Sequence, residues 1–176
     1  MEVERKYLIE PVKPGISILD FMTKCGFRKL EIEQYYLHNS AGETRMRKMK
    51  TPDDTYYILG IKSESESKDT LCRVESEVGI SKDVFDMLVP SAKSVLKKTR
   101  YIPESGISFD FMKNIYGDDM CVLEVEWPLG DPDEDFLRVP GLVKRIFGNK
   151  CKFTDVTGDP LYRSVNLSKQ IINKYD

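Results

Sequence analysis

The sequence contains few of the residues on which His-based catalysis, zinc binding and disulfide frameworks depend. Its 176 residues include one histidine, one tryptophan and four cysteines. The histidine, His38, lies at a polar strand end, which argues against a catalytic triad or a zinc site. The cysteines are far apart and show no paired spacing, so we expect reduced thiols.

The chain also lacks long apolar runs, a strong net charge and a glycine-rich phosphate loop. No run approaches the ~18 apolar residues that cross a bilayer, and the chain is charged from Glu2 onward. We therefore expect a cytoplasmic protein without a membrane partner. The formal net charge of −2 provides no global attraction to nucleic acid, and the Gly-x-x-x-x-Gly-Lys-Ser/Thr pattern cannot be found. Any charge-driven function must come from a local arrangement.

What the sequence does contain is alternation with period two, the signature of β-strands. Eight such segments are separated mostly by turn residues, and four other stretches have helical spacing. This pattern predicts one domain over residues 1–176 with an α+β fold, mainly antiparallel β, in which eight strands form a closed or nearly closed barrel with helices packed outside. The predicted strands span 2–9, 28–38, 43–51, 55–64, 70–79, 94–103, 106–113 and 119–128, and the predicted helices span 16–24, 81–88, 140–147 and 167–173.

One face of most predicted strands carries charged side chains almost exclusively. Side chains at i and i+2 share a face of a strand, and the charges are segregated by sign within strands. Acidic residues recur at 75 and 77, for example, and basic residues at 45 and 47. The acids of this set are Glu2, Glu4, Glu75, Glu77, Asp110, Glu124 and Glu126, and the bases are Lys6, Arg45, Arg47, Lys62, Arg73, Lys98 and Arg100.

These charged faces allow two interpretations. They are either solvated outer faces or the lining of a water-filled interior. Like charges on neighbouring positions repel unless a group of opposite sign lies between them. Burying these charges without water would cost several kcal/mol of desolvation free energy per ion. An eight-stranded barrel can hold a small ligand and water. The near-purity of the charges favours an interior with a highly charged occupant.

The residue types indicate which occupant that is. Clustered Arg and Lys on rigid strands bind phosphate oxygens. Clustered carboxylates without His or Cys select Mg²⁺ or Mn²⁺ over zinc. Cations, carboxylates and a metal together favour phosphoryl transfer, in which positioning and charge neutralisation dominate.

The ordered set of charged motifs resembles the CYTH domain of the triphosphate tunnel metalloenzymes. The resemblance begins with Glu2-Val3-Glu4-Arg5-Lys6, extends over nearly the whole chain and ends with Asp155-Val156-Thr157-Gly158-Asp159. It implies an antiparallel tunnel that binds a triphosphate together with Mg²⁺ or Mn²⁺. The matching motifs between these ends are Arg45-x-Arg47, Lys62, Arg73-x-Glu75-x-Glu77, Lys98-x-Arg100, Asp110 and Glu124-x-Glu126.

The same resemblance implies roles for these residues. Arg73 is as well explained as a structural partner of the carboxylates, and Lys152 as part of an exposed turn. The implied phosphate-binding residues are Lys6, Arg45, Arg47, Lys62, Lys98 and Arg100, with Arg73 and Lys152 as further candidates. The implied ligands of a first metal are Glu4, Glu124 and Glu126 with Asp110 nearby, whereas Glu2, Glu75 and Glu77 would bind a second metal or act catalytically by orienting the attacking water.

The motifs do not distinguish substrates within the family. A compact chain resembles the simple tripolyphosphatases most, so we expect hydrolysis of inorganic tripolyphosphate. The alternatives are a class IV adenylate cyclase, a thiamine triphosphatase and, from a different class, a non-catalytic polyphosphate- or nucleotide-binding module. A nucleotide or thiamine would call for aromatic stacking. Candidates for stacking are Tyr35, Tyr36, Tyr56 and Tyr57, although tyrosines in strands are more often packing residues.

Overall fold

A computed structural model describes residues 2–37, 42–63, 72–73, 75–128 and 138–172. Most of these residues lie in antiparallel β-strands, with a few helices, as an α+β fold requires. The strands are β1 (Glu2–Pro11), β2 (Arg28–Leu37), β3 (Gly42–Lys50), β4 (Thr55–Ser63), β5 (Cys72–Arg73), β6 (Glu75–Gly79), β7 (Ala92–Glu104), β8 (Ile107–Lys113), β9 (Asp119–Pro128) and β10 (Cys151–Asp155).

The described residues also form four α-helices. They are α1 (Ile18–Lys24), α2 (Lys82–Leu88), α3 (Arg138–Phe147) and α4 (Ser164–Ile172). The predicted N-cap of α2 is confirmed, because Ser81 Oγ accepts a hydrogen bond from the N–H of Val84. In the part of the chain that the structure describes, no helix combines the length and apolar character needed to cross a bilayer.

The strands form one sheet in the order β10-β1-β9-β8-β7-β2-β3-β4-β6, and β5 pairs separately with β1. The structure therefore has ten strands where eight were predicted. The predicted strand 70–79 is two short strands, of which β5 pairs with β1 and β6 with β4, and β10 was not predicted. Val74, between β5 and β6, lies outside the described residues. Hydrogen bonds among the described residues do not close the sheet, so the closed barrel stays a prediction.

The face of the sheet opposite the charged residues is covered by α1 and α3. Side chains of β1, β8 and β9 on this face pack with residues of the two helices into one buried cluster. Phe109 and Leu123 are fully buried there, and Phe147 of α3 packs edge-on against the Phe109 ring. The prediction that helices cover this apolar face is confirmed for α1 and α3.

Helix α4 lies on the other face, contrary to the prediction that all helices pack outside. Its Leu167 is buried against Leu96 and Val122, whose side chains share the face of Lys98 and Glu124. The Oγ of Ser168 is 2.7 Å from the Oγ of Ser94 on the same face. The physical reason is that one end of the charged face is apolar and needs a cover.

Candidate functional site

Strand register brings the charged residues of β1, β7, β8 and β9 together. Lys6 is opposite Glu124, and its Nζ lies 2.7 Å from Glu124 Oε1 and 2.9 Å from Glu4 Oε1. Arg100 is opposite Asp110 and donates two hydrogen bonds to its carboxylate, at 2.6 and 2.7 Å. We call this set the deep wall; it comprises Lys6, Lys98, Arg100, Asp110 and Glu124.

A second charged set comes from β3, β4 and β6. Arg45 contacts both Glu75 and Glu77, and Lys62 Nζ lies 2.9 Å from Glu75 Oε2. Gly60 lies between Arg45 and Glu77 in the register, and a Cβ there would come within 3.2 Å of Glu77 Oε1. Because Gly60 has no side chain, Arg45 and Glu77 can contact each other across β4. We call this set the shallow wall; it comprises Arg45, Arg47, Lys62, Glu75 and Glu77.

The two walls face a common cavity of about 70 Å³. Charged residues of the deep wall are buried: taken as whole residues, Asp110 is 0%, Glu124 4% and Lys98 7% exposed. The interpretation of these faces as solvated outer surfaces is therefore wrong. The cavity is lined by Glu4, Lys6, Gln34, Glu43, Arg45, Arg47, Lys62, Lys98, Arg100, Glu124, Glu126, Arg163 and Ser164.

Three carboxylates at one side of the cavity form a candidate metal centre. Each of Glu4, Glu124 and Glu126 offers an oxygen, and these oxygens lie within 4.8 Å of one another. Burial alone would raise the pKa of Glu124, but Lys6, Lys98 and Arg100 hold that pKa well below its usual value. Burial and the neighbouring Glu124 raise the pKa of Glu126. An oxygen-only set of this kind suits a hard divalent cation, which would also relieve the repulsion between the carboxylates.

The cations of the cavity lie close enough to shift one another's pKa. Burial, together with Arg45 and Arg100, lowers the pKa of Arg47 to about 10, and burial with Arg100 lowers the pKa of Lys98. The buried Nε of Arg47 has no hydrogen-bond partner among the described residues. An unsatisfied donor among crowded cations is stabilised by an acceptor of negative charge, such as a phosphate oxygen.

Comparison with known proteins identifies solved structures that share this fold. No protein-family model and no curated protein match the chain. Among solved structures, the inorganic triphosphatase NE1496 is 25% identical, with a TM-score of 0.50 over 96% of this chain and 95% of that chain. The PH1819 protein from Pyrococcus horikoshii OT3 is 18% identical, with a TM-score of 0.55 over the full length of both chains.

A third similar structure is HpAC1 from Hippeastrum, a candidate adenylyl cyclase described as having a dominant triphosphatase activity. It is 14% identical, with a TM-score of 0.58 over 82% of this chain and 87% of that chain.

The chain has the CYTH, or triphosphate tunnel metalloenzyme, fold. On this CYTH fold most of the predicted site residues come together. Those that line the cavity are Glu4, Lys6, Arg45, Arg47, Lys62, Lys98, Arg100, Glu124 and Glu126.

The other predicted site residues have different surroundings in the CYTH fold. Asp110 lies outside the three-carboxylate group and contacts Lys98 and Arg100, which supports a role in positioning those cations. Glu75 and Glu77 contact the shallow-wall cations. The backbones of Glu2 and Arg73 pair with each other, but their side chains lie outside the described residues.

Lys152 lies apart from the cavity. It is on β10, its side chain is 59% exposed and its Nζ lies 3.1 Å from Glu10 Oε2. The structure therefore gives no support to phosphate binding by Lys152, because the strand that carries it pairs with the far end of β1.

Sequence reasoning missed four cavity residues. Glu43 shares the face of Arg45 and Arg47 on β3, so the i, i+2 rule could have found it, and Gln34 lies opposite Arg47 on β2. Arg163 and Ser164 carried no signal, because their place depends on how α4 packs.

Proposed function

We propose that this protein hydrolyses a triphosphate, with inorganic tripolyphosphate as its preferred substrate, in the interior of a closed antiparallel sheet. The observation that carries the proposal is the joint presence, on one face of the sheet, of a cation-rich cavity and a group of three carboxylates. The similarity to the inorganic triphosphatase NE1496 supports it. The reaction takes up one water and releases pyrophosphate and orthophosphate.

In this proposal the cations bind the phosphate chain. Arginines hold phosphate oxygens through their planar guanidinium groups, and lysines act as point charges. The ion pairs with Glu75, Asp110 and Glu124 hold the cations in place on rigid strands, so that little reorganisation is needed when an anion binds. The binding set is Lys6, Arg45, Arg47, Lys62, Lys98 and Arg100.

The carboxylates would bind the divalent cation. Glu4, Glu124 and Glu126 fit Mg²⁺ or Mn²⁺ by their oxygen-only chemistry and the proximity of their oxygens. When bound, such a cation neutralises phosphate charge and polarises the phosphoryl group. The metal roles of Glu2 and Asp110, and the assignment of Glu2, Glu75 and Glu77 to the attacking water, stay predictions.

The choice of inorganic tripolyphosphate follows from the surroundings of the cavity. Among the described residues that line it, none is aromatic. Tyr35 and Tyr57 pack against Phe85 instead, and Tyr36 is buried in the apolar cluster beneath α4. Tyr56 shares the face of Lys62 on β4, but it is half-exposed and does not line the cavity. Because no aromatic side chain lines the described part of the cavity, its lining favours an inorganic chain, which needs no stacking partner.

A phosphate-release panel tests this function. The purified chain is assayed on tripolyphosphate, thiamine triphosphate, ATP and pyrophosphate, each with Mg²⁺, with Mn²⁺ and with EDTA, and ATP products are analysed for cyclic AMP. We expect the highest kcat/KM for tripolyphosphate and loss of release in EDTA. Full release in EDTA would refute the metal role. Cyclic AMP as the main product would assign a cyclase, and binding of tripolyphosphate without turnover under any condition would assign a binding module.

A further inference from the structure

The last helix begins at the charged cavity. Arg163, which directly precedes α4, and Ser164, its first residue, both line the cavity. Arg163 is exposed to solvent, so it lies at the rim rather than in the depth of the cavity. No motif in the sequence connects it with the charged strands.

Two anchors fix the position of Arg163 relative to the site. Before it, the backbone N–H of Lys6 donates to Thr157 Oγ1 at 2.9 Å, and the N–H of Val156 donates to the carbonyl of Lys6 at 2.9 Å. After it, Leu167 is buried and Ser168 bonds to Ser94. The segment between these anchors is therefore held against the same strands that carry the cavity, and its first anchor is a cavity residue.

Arg163 differs from the other cavity cations in its partners. Each of the others contacts at least one carboxylate. Within the described ranges of the chain, by contrast, no carboxylate forms an ion pair with Arg163. Its guanidinium has five donors and is always charged. The cations that contact a carboxylate are Lys6, Arg45, Arg47, Lys62, Lys98 and Arg100.

We propose that Arg163 is a substrate-binding residue at the rim of the cavity, which attracts the triphosphate and contacts its outer phosphate oxygens. The proposal rests on the proposed function, because it takes the occupant of the cavity to be a triphosphate. An exposed cation contributes to an anion's approach over about 10 Å at 0.1 M salt, so its effect falls as ionic strength rises. Arg163 thus adds a binding contribution from the C-terminal segment to a site otherwise built from strands.

The test compares Arg163→Gln with Arg163→Lys and with Lys169→Gln, an exposed charge in the last turn of the same helix. For each intact chain we would measure kcat and KM for tripolyphosphate at several NaCl concentrations, and the tripolyphosphate Kd by calorimetry. Arg163→Gln is expected to raise KM and Kd about two- to fivefold, as for a charge contact at a solvent-exposed rim. It should leave kcat and Tm near wild type and flatten the salt dependence of kcat/KM.

The controls separate a specific contact from a general loss of charge. Arg163→Lys should retain part of the affinity, and Lys169→Gln should behave like wild type. Wild-type KM, Kd and salt dependence in Arg163→Gln would overturn the proposal, as would an equal change in Lys169→Gln. If the wild type binds tripolyphosphate but releases no phosphate, the proposed function is wrong. The Kd values of the variants then still show whether Arg163 contributes to binding. If the wild type does not bind tripolyphosphate, both proposals fail.

Discussion

The two walls of the cavity carry the same kinds of charge, but the acidic side chains of the deep wall are more deeply buried than those of the shallow wall. The arginine side chains of the two walls are equally exposed, at 13%. In the deep wall, the side chains of Asp110, Glu124 and Lys98 are 0%, 5% and 4% exposed. In the shallow wall, the side chains of Glu75 and Glu77 are 14% and 32% exposed. Removing one partner of a buried ion pair leaves an uncompensated charge, whereas a partly exposed charge that loses its partner is solvated by water. Substitutions that leave a deep-wall carboxylate unpaired should therefore reduce both stability and activity, whereas substitutions that leave a shallow-wall carboxylate unpaired should reduce mainly activity.

The largest effect is expected from Glu124→Gln, because Glu124 belongs both to the deep wall and to the three-carboxylate group. We expect turnover to fall by more than about a hundredfold, as when a main source of charge stabilisation is lost. The affinity for Mn²⁺ should fall as well. Steady-state kinetics and calorimetry with Mn²⁺ measure the two effects. Asp119→Asn is the matched control, because Asp119 begins the same strand with its side chain 89% exposed. Normal turnover in Glu124→Gln would remove Glu124 from the site.

Replacing one cation of each wall tests the comparison directly. Lys98→Ala and Arg45→Ala each remove a charge-assisted contact worth roughly 1.5–3 kcal/mol, so each should weaken tripolyphosphate binding about ten- to a hundredfold. Lys98→Ala should in addition lower the free energy of unfolding by about 3 kcal/mol, because it strips a partner from fully buried Asp110. Arg45→Ala should lower the free energy of unfolding by clearly less.

Binding calorimetry and chemical denaturation measure these two quantities. Lys97→Ala, on the opposite face of β7, and Lys50→Ala, at the exposed end of β3, are the matched controls. Equal stability losses in the two cavity variants would abolish the distinction between the walls. Wild-type affinity in both would exclude these cations from binding.

A smaller effect is expected from the shallow-wall carboxylates. Glu75→Gln or Glu77→Gln should reduce kcat about tenfold or more and change KM little, if these groups serve the attacking water. The contacts of Glu77 with Arg45 and Arg47 provide a second possibility. If KM rises more than kcat falls, Glu77 acts by positioning the arginines. Ser76→Ala, on the exposed face of β6, is the control for the strand itself.

The smallest effect is a change in thermal stability of the unmodified protein. Crowded like charges in the cavity are relieved by an anion that binds only the folded state. Tripolyphosphate at about a hundred times its Kd should therefore raise Tm by roughly 5–10 °C. Thermal denaturation with NaCl at equal ionic strength is the control. An unchanged Tm with and without Mg²⁺ would contradict binding in this cavity.

Local sequence rules found most of the site. Alternation within β1 placed Glu4 and Lys6 on one face, and the same rule grouped Glu124 with Glu126, because the direction of a strand side chain is set by its two neighbours. The rule merged β5 and β6 into one strand, and it missed β10, whose five residues are too few to show a clear period. It could not identify Lys152 as remote from the site, because the sequence does not show which strand β10 pairs with.

The order of residues along the chain therefore defines the composition of the charged face and, through its motifs, the CYTH fold. Which carboxylates are deeply buried depends on long-range packing, since the pairing between Lys6 and Glu124 joins residues 118 positions apart. Long-range packing also decides that α4 lies on the charged face and places Arg163 at the cavity rim. The physical reason is that strand periodicity is a property of adjacent residues, whereas burial, ion pairing and helix docking depend on segments that meet only after the chain has folded.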